Sequence, residues 1–150
     1  MKTEMQVLEH LAALLPEGIK EHLESKDTAA PISPRSILID FPDPDNMRTD
    51  NMLYIVPEYE NMEELTVSSD STKFEVKVYI LSKKGTNASL VKRIFDIYSA
   101  FYLFMRKDPT LGGFIDYSRI TDMDYYPAVT AQGTMVGIEI TLTLLWAKNY

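Results

Sequence analysis

The chain has 150 residues, a formal net charge of −7, 45% hydrophobic and 11% aromatic residues, and no cysteine. That length fits one domain better than two, and that apolar content builds a core which a disordered chain cannot. The composition excludes disulfides and thiolate-bound metals, and no apolar run reaches the roughly 18 residues of a membrane helix.

Glu4, Glu9 and His10 interrupt the N-terminal stretch where a signal peptide needs an unbroken apolar run. No export is expected, and the lack of cysteine suits an intracellular protein. The charge is unevenly spread. From Asp40 to Asp70 the chain carries Asp40, Asp43, Asp45, Asp50, Glu58, Glu60, Glu63, Glu64 and Asp70, opposed by Arg48 alone. Nucleic-acid binders cluster Lys and Arg instead, so tight duplex binding is not expected. The plain expectation for this acidic stretch is a set of solvated loops.

In chain order, Thr3 to about Glu24 reads as a helix capped by Thr3, with Gln6 as capping-box partner, and interrupted or kinked at Pro16. Leu8, Leu11, Leu15 and Ile19 recur at spacings of three and four and make one apolar stripe. Ser25–Pro34 has the composition of a linker. Three strands follow. Ile37, Ile39 and Phe41 alternate with Leu38 and Asp40, and Met52–Val56 is a short apolar run closed by Pro57. Lys73–Leu81 sets Phe74, Val76, Val78 and Ile80 on one face and Glu75, Lys77 and Tyr79 on the other. Glu64–Ser68 is expected to pair with it through a turn at Ser69-Asp70-Ser71.

The Gly85–Asn87 turn opens a long helix, Ala88–Arg106. At roughly 100° per residue, ten apolar residues from Leu90 to Met105 cover about half its circumference, with Lys92, Asp96, Ser99 and a lone Leu103 opposite. Covering one sheet needs a narrower stripe. A second contact is implied, most simply the amino-terminal helix and otherwise a partner subunit. Asp108-Pro109 ends the helix, Gly112-Gly113 turns the chain, and Phe114–Ile120 is a strand candidate. Met135–Trp146 alternates strongly, with Ile138, Ile140, Leu142, Leu144 and Trp146 on one side. Strands around one long helix predict an α+β fold, a mostly antiparallel sheet with the long helix and the N-terminal helix packed on one face. The expected layout is a single α+β domain over 1–150, with a helical segment 1–24, a linker 25–34, and the sheet and long helix in 35–150.

No grouping reads as an active site. His10 and His22 lie twelve residues apart, too far for a shared metal site, and belong to no triad motif. Asp43–Asp50 resembles a calcium loop but puts Met47 and Arg48 where a ligand and a glycine are needed. Lys84–Asn87 could offer backbone donors to an anion, yet lacks a phosphate-loop glycine pattern and reads as a helix cap. Glu63-Glu64 reads as solvated, and Tyr117, Tyr125 and Tyr126 read as core or interface before they read as stacking platforms. No catalytic, cofactor-binding or metal residue is therefore assigned, and no enzyme activity or cofactor is expected.

From about Lys73 onward, several phrases carry a resemblance. They are the strand FEVKVYIL, the aromatic helix SLVKRIFDIYSAFYLFM, the turn Leu111-Gly112-Gly113, the run from Ile120 to Tyr126, and the closing strand with Ile138–Thr143. In order and character these pieces resemble the tail terminator, or tail-to-head joining, proteins of long-tailed bacteriophages. The resemblance implies an α/β subunit of a hexameric ring that caps the finished tail tube and meets head or neck proteins. It places the protein in the virion tail or neck, assembled in the bacterial cytoplasm. No site residue is carried over from it. The competing expectation is a small α+β binding module or enzyme accessory domain, recognising a small molecule or a bacterial protein. That reading calls for a deep pocket lined by Tyr and Phe with convergent polar groups.

Overall fold

A computed structural model of the chain describes residues 2–24, 32–130 and 133–149. The linker expected at 25–34 thus lies largely outside the described residues. Helix α1 spans Glu4–His22, and Thr3 caps it as the sequence predicts. The Thr3 hydroxyl accepts from the Gln6 amide and the Gln6 side chain accepts from the Thr3 amide. Pro16 does not end the helix; α1 runs through it as one element. Its buried stripe is Val7, Leu8, Leu11, Leu15 and Ile19, with Gly18 among them.

The chain is α+β; among the described residues two α-helices pack against a five-stranded, mostly antiparallel sheet. Strands β1 (Ile37–Leu38), β2 (Asn51–Thr66), β3 (Ser69–Lys83), β4 (Tyr117–Thr130) and β5 (Gly133–Asn149) stand in the order β1-β2-β3-β5-β4. Only β1 pairs in parallel, and only through Ile37 and Leu38. The expected strand up to Phe41 is therefore cut short. Helix α2 spans Asn87–Lys107, capped by the Thr86 hydroxyl on the Ser89 amide.

Both helices pack on one sheet face. Leu53 and Ile55 of β2, Phe74 to Ile80 of β3, and Val136 to Trp146 of β5 supply alternate residues to that core. This is the alternation expected for Lys73–Leu81 and Met135–Trp146. A smaller cluster on the other face joins Met47, Met52, Tyr54, Leu81 and Met135. Close backbone approach depends on two glycines. A Cβ on Gly18 would stand 2.5 Å from Cδ1 of Phe104, and one on Gly137 would stand 2.6 Å from the Tyr126 ring.

Several expectations need correction. β2 does not stop at Pro57; it continues to Thr66 through a bulge between Pro57 and Tyr59. The hairpin turn lies at Val67-Ser68, not at Ser69–Ser71, because Thr66 pairs with Ser69. Glu58, Glu60, Glu63 and Glu64 therefore sit on a strand, not on solvated loops. β5 follows β3 to the turn, pairing Asn149 with Ser69, so β2, β3 and β5 form an arm beyond the helices. Phe114 is in a turn, and β4 begins only at Tyr117 before running on to Thr130.

Candidate functional site

The chemistry of this fold lies on two strand edges and one sheet face. Among the described residues, β4 is the last strand of the sheet, and β2 is covered by β1 only at Leu53 and Tyr54. Beyond Val56 no described strand lies on the outer side of β2, which is an edge among the described residues. Both edges offer backbone donors and acceptors to another strand.

Beside β4, α2 keeps an apolar flank in the open. Phe104 turns toward Gly18 of α1, so the amino-terminal helix does cover one side of the wide stripe. Val91, Phe95 and Tyr102 on the other side remain 37%, 36% and 40% exposed. Phe95 stacks on Tyr125 at 5.3 Å, and Tyr98 lies 6.3 Å from Tyr102. Between the end of α2 and the start of β4 is a cleft of about 340 Å³, bounded by Tyr102, Arg106, Tyr117, Ser118, Arg119 and Ile120 among others. The Ser118 side chain is buried there and its hydroxyl has no hydrogen-bond partner. A buried hydroxyl without a partner costs about 1–3 kcal/mol. Arg106, Arg119 and Ser118 come from two elements and were not singled out from the sequence.

The helix-free face is acidic on balance, although Arg119, opposite Thr143, and Lys73, 3.9 Å from Glu75, stand on it too. Strand register puts Glu63 opposite Ser71, Glu75 opposite Thr143, Asp122 opposite Thr141 and Asp124 opposite Glu139 on that side. Lys77 stands at its centre, 3.6 Å from Glu58 and 3.1 Å from Glu139, and donates to the Thr141 hydroxyl at 2.7 Å. Burial alone would lower the Lys77 pKa, but the hydrogen bond to Glu139 and the two carboxylate charges raise it. It is a fixed cation at neutral pH. Tyr126 packs across Gly137 on the same face; burial first, then the charges of Tyr79 and Glu139, push its pKa up to about 12.

A second cation ties α1 to the arm. Lys148 of β5 bonds Glu4 and lies 3.4 Å from Glu60. Burial alone would raise Glu4, yet hydrogen bonds from Glu60 and Lys148 outweigh it and hold that carboxyl at about 2. Burial, then the hydrogen bond and charge of Glu4, raises Glu60.

The other sequence candidates have structural surroundings. His10 stacks on Phe114 at 4.1 Å and hydrogen-bonds the Leu111 carbonyl at 2.9 Å, far along the helix from His22. In Asp43–Asp50, Asn46 donates to the Asp43 carboxylate at 3.0 Å and Asp50 pairs with Lys84 at 3.3 Å. Arg93 donates to the Lys83 and Lys84 carbonyls, so the turn before α2 is a braced cap. Tyr125 and Tyr126 point to opposite faces of β4 and do not form one platform with Tyr117. Among the described residues, no group of three or more His, Asp and Glu is arranged to hold a metal, and no helix is long and apolar enough to cross a membrane. No protein-family model matches this sequence, and no curated protein matches it.

Proposed function

We propose that this protein is a non-enzymatic assembly subunit that closes into a homo-oligomeric ring, caps a phage or prophage tail tube and joins it to head or neck proteins. The observation that carries this reading is the pair of open edges, β4 and the outer half of β2, on opposite sides of one sheet. A small protein that works alone blunts such edges, whereas head-to-tail contacts use two different surfaces and close when the rotation permits. The aromatic flank of α2 beside β4 adds apolar surface of the kind that interfaces cover. The resemblance from Lys73 onward supports the tail assignment.

In this reading the helix-free face lines the channel. Its carboxylates repel duplex DNA and leave it mobile, where clustered Lys and Arg would bind phosphates. Negative-stain microscopy of the purified chain tests the proposal: annuli with an open centre support it, and fields of monomer-sized particles alone overturn it. Glu75→Lys with Asp124→Lys should give a ring that retains DNA in a salt-sensitive way. A ring variant that binds DNA no better than the parent would place this face outside the channel.

The binding-module reading has one observation in its favour, the cleft between α2 and β4 with Arg106 and Arg119 beside it. It predicts a monomer or dimer whose melting temperature rises with a small anionic ligand.

A further inference from the structure

We infer that the outer edge of β4 receives the β2 arm of a second copy of this chain, so that successive subunits continue one antiparallel sheet. The inference rests on the assembly reading above and assigns the two surfaces that meet.

Strand direction permits it. β2 is antiparallel to β3, β3 to β5, and β5 to β4, so β2 and β4 run in opposite directions. A neighbour in the same orientation therefore brings its β2 antiparallel to β4. Register supplies the level. Ser118 pairs with Leu144, Leu144 with Phe74, and Phe74 with Glu60. One line lower, Tyr117 connects through Leu145 and Lys73 to Asn61. Side-by-side repetition sets the arm of one copy against the cleft of the next. Pro57 and Pro127 lack an N–H, which confines the new ladder to β2 beyond 57 and β4 before 127.

Charge and polarity agree with that placement. The arm carries Glu58, Glu60, Glu63 and Glu64, interspersed with Tyr59, Met62 and Leu65, each more than half exposed. The receiving side carries Arg106, Lys107 and Arg119. Asp108, which already accepts from the Gly112 amide at 2.9 Å, and Asp116 precede β4. Asp122 and Asp124 lie further along it, level through Thr141 and Lys77 with Val56 and through Glu139 and Tyr79 with Tyr54, short of the arm. Opposite charges across the contact steer assembly.

The test uses the full chain at micromolar concentration, read by mass photometry. Glu63, Glu64, Arg106 and Arg119 have no ion-pair partner within the chain among the described residues, so reversing them spares the fold. Two variants are made: Glu63→Lys with Glu64→Lys, and Arg106→Glu with Arg119→Glu. Each alone should fall from the parent oligomer to the monomer mass of 17.1 kDa. Mixed one to one, they should recover the oligomer, because each then offers the other a complementary edge. If both variants keep the parent mass, or the mixture stays monomeric, the two surfaces do not meet and the inference fails while the ring reading stands. A monomeric parent would instead remove the ring reading itself. As a measurement independent of charge, the native chain has no cysteine, so Asn61→Cys with Tyr117→Cys should form a ladder of oligomers with a short bis-maleimide. Neither single variant should do so. A covalent dimer from Tyr117→Cys alone, the most that one thiol per chain can give, would mean a two-fold β4 contact and overturn the inference.

Discussion

Gly18→Ala probes the closest approach of the two helices. Taken alone, replacing a helical glycine with alanine stabilises by about 1 kcal/mol. Here the new Cβ would stand 2.5 Å from Cδ1, 2.7 Å from Cε1 and 2.8 Å from Cγ of Phe104. Carbon atoms prefer about 3.5–4.0 Å. Spinning the ring about its own axis does not relieve the Cγ contact, since Cγ lies on that axis. Either α1 moves away from α2 or Phe104 leaves its rotamer, and overpacking of this kind costs about 1–3 kcal/mol. We therefore expect a net loss of about 1 kcal/mol in urea unfolding, seen as a lower midpoint at unchanged slope. Phe104→Leu should remove the clash, so the Gly18→Ala, Phe104→Leu double variant should be more stable than the two single losses add up to. A Gly18→Ala protein more stable than its parent by the full helix-propensity gain would refute this helix contact.

Three further outcomes are expected. Phe101→Ala removes a fully buried ring and should cost about 3–5 kcal/mol, while exposed Lys92→Ala should cost less than about 0.5 kcal/mol; denaturant midpoints compare them. Thr3→Ala breaks the capping box and should cost about 1 kcal/mol in the same assay. On acidification, Glu4 takes up its proton later in the folded chain than in the unfolded one, since its pKa is lowered from 4.5 to about 2. Its contribution is present above about pH 4.5 and lost as pH falls through about 2, with the raised Glu60 acting in the opposite sense. Melting temperatures from pH 6 to 2 should fall less steeply for Lys148→Met than for the parent.

Elements with a regular period could be read from the sequence. Leu8, Leu11, Leu15 and Ile19 are buried on α1, and Ile138 to Trp146 are buried on β5, as their spacing requires. The Thr3–Gln6 capping box was equally local. The arm was hidden because Pro57 reads as a strand end, whereas β2 is an edge strand there, paired with β3 on its inner side and uncovered by β1 on its outer side, where a proline is tolerated. Acidic Glu58–Glu64 reads as loop by composition, but its pairing with β3 decides its structure, and pairing is not a property of the segment alone. β4 lacked a clean period because the bulge between Ile120 and Asp122 shifts its alternation. The cleft was invisible for a different reason: Arg106 and Arg119 bound one cleft only because α2 and β4 lie side by side in space.

Native mass spectrometry of the purified full-length chain tests most directly whether this is an assembly subunit. The account predicts a single closed species near six times 17.1 kDa, with no ladder of larger open forms. A protein that stays at 17.1 kDa across the micromolar range would contradict it.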